Sequence, residues 1–283
     1  MNEQKIELSA AIKHLPYIQT LTNIIVVSIE NKKLYRQTIQ KAQMQKELEL
    51  AQTMQEMLFP NNLPDSDAIK VAAKYIPHQQ VSGDYYDFLP LNNHEYVFCV
   101  ADVSGKGIAA ALLMSNMQAT FHSLVNYTHN LKDIILELNK RVWLSAKGEK
   151  FVSLFLGKIN LKSKQLTYIN AGHNPPIVIS QNKVSRLTKG CTLLGIAENI
   201  PFIDVDIMNV PGPYTLFCYT DGLTDTVNSE DEYLAEETVV ELLRTNINSE
   251  PKFINDAIMY YADEFKGENL FVDDIALMTI KCA

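Results

Sequence analysis

Tyr96-Val97-Phe98-Cys99-Val100-Ala101-Asp102-Val103-Ser104-Gly105-Lys106-Gly107 reads as a buried strand that ends in a carboxylate and a glycine-bracketed turn. From Gly107 the alanines, Leu112, Leu113 and Met114 carry helical composition to about Tyr127, and Leu131–Ser145 repeats apolar residues at helical spacing. Working outward, strands are expected over Ile69–Ile76 and Glu95–Val103, then Phe151–Ile159, Gln165–Asn170 and Pro176–Ser180, and finally Phe202–Met208, Tyr214–Tyr219 and Ile275–Lys281. Helices are expected over Ala235–Arg244 and Phe253–Phe265. Strands outnumber helices and mostly follow one another, while the helices come in pairs. That order favours an α+β layered sandwich over a doubly wound parallel sheet.

Ahead of this region, residues 17–58 contain neither glycine nor proline, are rich in Gln, Lys, Glu, Leu and Met, and stop at Pro60, which predicts one long helix. Met44, Leu48, Ala51, Gln55 and Leu58 form one stripe along it, with Leu50, Met54 and Met57 as a second stripe beside them. Two stripes imply two contact surfaces, one for the following domain and one for a partner helix; a helix lying wholly on its own domain is the rival reading. The expected division is a regulatory or dimerisation helix over residues 1–60 and a catalytic domain over 61–283.

The composition excludes several classes. Hydrophobic residues make up 47% and charged residues 20%, so the chain folds rather than staying disordered. A formal charge of −8 repels phosphate backbones and argues against nucleic acid as a partner. The four cysteines, at 99, 191, 218 and 282, show neither a C-x-x-C pair nor zinc-ligand spacing, which fits free thiols in a reducing cytoplasm. The apolar run Ile24–Ile29 is far short of the roughly 18 residues a membrane span needs, and acidic Glu3 and Glu7 stand where a signal peptide would be basic. The expectation is a soluble cytoplasmic protein.

Chemistry concentrates in aspartates at expected strand ends: Asp84 and Asp87 in Ser82-Gly83-Asp84-Tyr85-Tyr86-Asp87, Asp102, Asp221 and Asp225 in Thr220-Asp221-Gly222-Leu223-Thr224-Asp225, and Asp273-Asp274. A carboxylate beside buried sequence needs a hydrogen bond, a counter-ion or a metal, and several converging on one place repel unless a cation neutralises them. Oxygen-only ligands suit magnesium, manganese or calcium rather than zinc or copper. Taken singly, each aspartate beside a glycine also fits a turn that caps its own backbone; four such clusters at strand ends weaken that reading. Neither a P-loop, a G-x-S-x-G elbow, an H-E-x-x-H helix nor an EF-hand loop is present.

The ordered series Ser82-Gly83-Asp84-x-x-Asp87, Ala101 to Gly107 with its alanine-rich helix, Asn170-Ala171-Gly172-His173-Asn174-Pro175-Pro176, Thr220 to Asp225 and Asp273-Asp274 resembles the RsbU/SpoIIE-type branch of the PPM family of metal-dependent serine/threonine phosphatases, over roughly residues 45–283. The resemblance implies an αββα sandwich, two packed antiparallel sheets flanked by helices, with two divalent cations, manganese or magnesium, at one end. By position, Asp102 corresponds to the carboxylate bridging the two ions. Asp221 and Asp273 fall on the first ion, Asp84 and the Val103 carbonyl on the second, and Asp225 near a weaker third. Water activated by the metals is then the nucleophile, and no protein nucleophile is needed. Asp87, Asp274, Gly105, Lys106, Gly107 and His173 are supporting residues. No arginine lies near these motifs to hold the substrate phosphate, and Lys106 is the only nearby base. His173 is a proton donor or, as preferred in so tight a turn, structural; His78, His94 and His122 carry no signal.

The implied activity is hydrolysis of phosphoserine or phosphothreonine, on a STAS-domain anti-anti-sigma-like protein of a partner-switching pathway. The rivals are a non-catalytic regulatory module of the same fold and a two-metal phosphodiesterase acting on a nucleotide. Ser28-Ile29-Glu30-Asn31 through Tyr35, and Glu47 to Ala51 up to Leu58-Phe59-Pro60, resemble the helix that joins a GAF-type sensor to such a phosphatase. About 16 residues precede this helix, too few for a sensor domain. The chain is therefore a fragment of a longer protein or a version whose N-terminus is a partner-binding helix, engaging an upstream activator or a second subunit.

Overall fold

The computed structural model describes the backbone of residues 2–181 and 183–283, with side chains from Leu15 onward. The chain divides into two compact units, Met1–Leu50 and Ala51–Ala283. The first unit is a single helix, the beginning of α1 (Asn2–Glu56). It starts well before the expected residue 17 and passes through Pro16, whose missing N–H forfeits a hydrogen bond without stopping the helix. Its side chains Ile24, Ile25, Val26, Val27 and Ile29 are exposed. Among the described residues no helix is long and apolar enough to cross a membrane.

In the second unit the elements run β1 (Ile69–Ile76), β2 (Tyr85–Pro90), β3 (Glu95–Val103), α2 (Ile108–Tyr127), α3 (Leu131–Ala146), β4 (Val152–Asn160), β5 (Gln165–Ala171), β6 (Ile177–Ser180), β7 (Lys183–Arg186), β8 (Gly190–Cys191), β9 (Asp206–Asn209), β10 (Tyr214–Tyr219), α4 (Glu236–Thr245), α5 (Pro251–Lys266) and β11 (Ile275–Cys282). One sheet has the order β1-β11-β10-β6-β7, and the other β2-β3-β4-β5-β8 with β9 also on β5. Every pairing is antiparallel except the short β5–β8 contact.

Four layers result. The larger apolar core joins the inner faces of both sheets and also seats Met114, Phe121, Ile135 and Leu138 of α2 and α3 on the outer face of the β2–β5 sheet. A second core packs Val239, Leu243, Ile254 and Ile258 of α4 and α5 against Phe217, Tyr219, Ile275 and Leu277 of the other sheet. This is the expected αββα sandwich. Strands β3 and β11 have neighbours on both sides and helices or the opposing sheet on both faces, which is why Tyr96–Ala101 and Ile275–Met278 run apolar without a break.

The expected elements are present with small shifts at their ends, and three differences have physical causes. Tyr85–Pro90 was not expected as a strand, because Asp87 interrupts its apolar pattern. The strand expected over 202–208 shrinks to Asp206–Asn209, the part that pairs with β5, while Phe202 is exposed. Of the two stripes on α1, Gln55 and Leu58 turn inward, and Leu50, Met54 and Met57 are exposed.

Candidate active site

The strand directions bring the aspartates together. β2 starts where β3 ends, and their register, Tyr85 opposite Ala101, places Asp84 beside Asp102 one step further on. On the other side of β3, Asp102 pairs with Ser153 of β4. β10 likewise ends where β11 begins, which sets Asp221, in the 3-10 turn Asp221–Leu223, close to Asp273 and Asp274. Each sheet therefore delivers carboxylates to the same end of the sandwich.

Their electrostatics carry the mark of that convergence. Asp84 is buried, its Oδ2 meets no hydrogen-bond partner, and its carboxyl is held well above the usual range, first by burial and then by the charge of Asp102; the Thr220 hydroxyl pulls the other way. Asp102 is pushed up to about 7 by burial and by Asp221 and Asp273, eased by a hydrogen bond with Asp84. Burial also raises Asp221, helped by Asp225 and Asp273, and raises Asp225, helped by Asp273. Carboxylates that mainly destabilise one another have no structural purpose without a cation. Among the described residues no three His, Cys, Asp or Glu side chains close into a metal cage.

The donor set nonetheless fits a hard cation. All the candidate ligands are oxygens, one of them an orphaned buried carboxylate oxygen. A Cβ on Gly83 would stand 2.7 Å from the Val103 carbonyl oxygen, so glycine leaves that carbonyl its place beside Asp84. A cationic group already lies at the rim: Lys106 Nζ is 2.8 Å from Asp273 Oδ2 and also donates to the Val272 carbonyl. Gly105 and Gly107, with φ of 82° and 75°, hold the turn that presents this lysine in a backbone region other residues resist.

Other residues singled out in the sequence take separate places. Asp87, three residues from Asp84, faces the opposite side of its strand, toward α2. There its carboxylate receives the Tyr85 hydroxyl, the Phe88 N–H at 2.8 Å and His122 Nε2 at 2.5 Å. Asp274 Oδ1 accepts the His78 N–H at 2.7 Å, anchoring the segment between β1 and β2. His173 is buried with Nδ1 2.8 Å from Ser153 Oγ, and burial pushes it down to about 4, so it is neutral near pH 7.

Sequence reasoning missed four polar contributors: Thr220, Ser153, His122 and Gln55. Gln55, on the last turn of α1, donates from Nε2 to the Ser82 carbonyl at 2.7 Å and accepts the Ser82 N–H at Oε1 at 3.0 Å. Ser82 Oγ in turn accepts the Asp84 N–H at 3.0 Å. A glutamine on an otherwise apolar stripe was the available signal for this contact.

Comparison with known proteins bears on the family and the fold. The SpoIIE family model, Stage II sporulation protein E, matches residues 92–283. The chain is 29% identical over 205 residues to phosphoserine phosphatase RsbU of Bacillus subtilis (strain 168), a match covering 72% of this chain and 60% of that protein. It spans between 45% and 60% of the length of the first curated relatives it matches. Among solved structures, the SiaA-PP2C domain of Pseudomonas aeruginosa superposes with a TM-score of 0.76 at 17% identity, over 86% of this chain and 98% of that one. The PP2C phosphatase domain of SpoIIE from Bacillus subtilis, solved with a fragment of its regulatory domain, superposes with a TM-score of 0.63 at 18% identity, over 77% of this chain and 64% of that one. These likenesses show a PP2C-type fold.

Proposed function

The chain belongs to the SpoIIE family, and from that premise we propose that it is a metal-dependent phosphoprotein phosphatase acting on phosphoserine or phosphothreonine. The observation that carries the reading is the buried, partnerless Oδ2 of Asp84 beside Asp102, at the point where both sheets deliver carboxylates.

In this reading Asp84, Asp102, Asp221 and Asp273, with the Val103 carbonyl, would hold two manganese or magnesium ions, and Asp225, which is exposed, would serve a looser third. When bound, the ions supply an acidified water and neutralise the phosphoryl group during in-line displacement. The chain's own part is to hold oxygens that favour a cation over a proton. Asp84 and Asp102 are costly as bare anions and would give up protons to bind a cation. Lys106, on its glycine-bracketed turn and partly exposed, is the cationic group for the substrate phosphate. Val103 and Gly83 fix one carbonyl in place.

The similarity to a protein named phosphoserine phosphatase RsbU supports a phosphoserine substrate, here a STAS-domain protein of a partner-switching pathway. The exposed stripe Leu50, Met54 and Met57 supports a partner on α1, an upstream activator or a second subunit. The test is turnover of p-nitrophenyl phosphate, a phosphodiester and a phosphoserine peptide, each with and without manganese. Manganese-dependent turnover of the two monoesters supports the proposal. Preference for the diester makes the chain a phosphodiesterase, and no turnover of any makes it a regulatory module.

A further inference from the structure

Lys106, the group assigned above to the substrate phosphate, stands on a loose mount. Gly105 and Gly107 flank it, and a glycine on either side lets the backbone swing where other residues would resist. The far side of the turn is tied down, since the Gly107 carbonyl accepts the Ala111 N–H at 3.0 Å in the first turn of α2. The near side is Ser104, and the two residues just ahead of β4 hold each of its polar groups. Its N–H donates to the Phe151 carbonyl at 2.9 Å, its Oγ accepts the Phe151 N–H at 2.9 Å, and its carbonyl accepts Lys150 Nζ at 2.8 Å. The base of this clamp is itself anchored. Val152, the next residue, pairs with Val103 of β3 on one side and exchanges both backbone bonds with Leu194, at 2.9 Å each, on the other. The two bonds from Phe151 extend the β3–β4 ladder by a step and settle where Val103 ends. The bond from Lys150 differs from them, because a charged donor makes it and because it holds the carbonyl that leads into Gly105. The half-buried ammonium also fills the space that a Cβ on Gly105 would need. Gly105 thus meets two demands, a φ of 82° and room for Lys150.

We infer that Lys150 is a positioning residue: by clamping the Ser104 carbonyl it fixes the Gly105 turn, and with it the place from which Lys106 reaches for the substrate phosphate. The inference rests on the reading of Lys106 given above. From this mount Lys106 Nζ extends to the other sheet, 2.8 Å from Asp273 Oδ2, so its position is set across the whole carboxylate end. A swing of the Ser104–Gly105 peptide would carry the ammonium away from that end while Asp102 and Val103, held by the ladder to β4, stay in place. Lys150 touches no reacting atom; it acts through Lys106. What it governs is the binding of the phosphoryl group, not the holding of the cations.

The experiment compares the full chain with Lys150→Met, Lys106→Met and the double variant. It measures p-nitrophenyl phosphate kinetics at saturating manganese, calorimetric binding of inorganic phosphate to the manganese-loaded protein, and calorimetric binding of manganese without substrate. Lys150→Met is expected to raise KM and to weaken phosphate binding about tenfold each, with kcat and manganese affinity within about twofold of the parent, the pattern of lost binding rather than lost chemistry. Lys106→Met should do the same by at least as much. The double variant should match Lys106→Met, because a mount matters only while it carries its lysine. Should Lys150→Met fail to give the parental circular-dichroism spectrum, Lys150→Gln, which keeps a neutral donor of shorter reach, carries the same test. A parental KM on changing Lys150, while Lys106→Met raises it, overturns the inference and leaves the reading of the site standing. Increases that multiply in the double variant also overturn it, since Lys150 would then act independently of Lys106, and so does lost manganese affinity in Lys150→Met. A parental KM in Lys106→Met, or a parent chain with no manganese-dependent turnover, removes the reading and this inference with it.

Discussion

Asp84 and Asp87 lie three residues apart at one end of the same hairpin, both buried, and meet opposite fates. Asp87, on the face toward α2, is received by a tyrosine hydroxyl, a backbone N–H and a histidine ring. Asp84, on the face toward the other sheet, meets a second carboxylate and keeps one oxygen unpartnered. Burial alone therefore does not distinguish an aspartate of the fold from an aspartate of the site. The distinction lies in what surrounds it: donors stabilise the ion where it stands, whereas other acids leave it waiting for a cation.

The comparison breaks most visibly at Asp102. Replacing it by asparagine should lower p-nitrophenyl phosphate turnover by about 10³-fold, since a divalent ion contributes several kcal/mol at the transition state. The metal-free protein should lose no stability, because one repelling charge has gone, and thermal unfolding checks that half. Turnover near the parental rate would remove Asp102 from the centre. The converse change, Asp87→Ala, should cost about 3 kcal/mol in urea unfolding by leaving His122 and Tyr85 without their acceptor, yet leave manganese binding intact. Lost manganese affinity in that variant would erase the difference between the two aspartates.

A pH series sharpens the same contrast. Asp102 sits at about 7 in the fold and near 4 in an unfolded chain. Between those values the folded chain keeps a proton that the unfolded chain has released, so metal-free stability falls as pH rises through this window. Manganese must displace that proton, so its affinity should climb over the same window and level off above about pH 7. An affinity flat from pH 5 to 8 would contradict the raised Asp102 carboxyl. The smallest effect is expected from Asp225→Asn: a loss of only a few-fold, visible at low manganese, in keeping with its exposed side chain. A loss as large as that of Asp102→Asn would make Asp225 a primary ligand.

Much of this was readable before any coordinates. Apolar runs such as Tyr96–Val100 announced central strands, and acids abutting such runs announced the site, because each carries its desolvation cost openly in sequence. What stayed hidden depends on tertiary parity. Nothing local tells that Asp87 turns away from Asp84 or that Asp274 caps the His78 backbone. The strand Tyr85–Pro90 was lost for the same reason, since one of the partners that settle its interior acid is His122, a residue 35 positions away with no pattern of its own. Pro16 misled in the opposite sense: a strong local stop proved weaker than the helix it interrupts.

The grip of Gln55 on Ser82 has a mechanical consequence. One side-chain amide pairs both the N–H and the carbonyl of a single residue, which is the two-bond rung of an antiparallel ladder made by a glutamine. Such a rung has almost no slack. Advancing the helix end by one residue moves it about 1.5 Å and turns it about 100°, which is enough to lose both bonds together and leave two buried groups unpaired, at about 1–3 kcal/mol each. A displaced end of α1 would break both bonds at Ser82, whose hydroxyl accepts the Asp84 N–H.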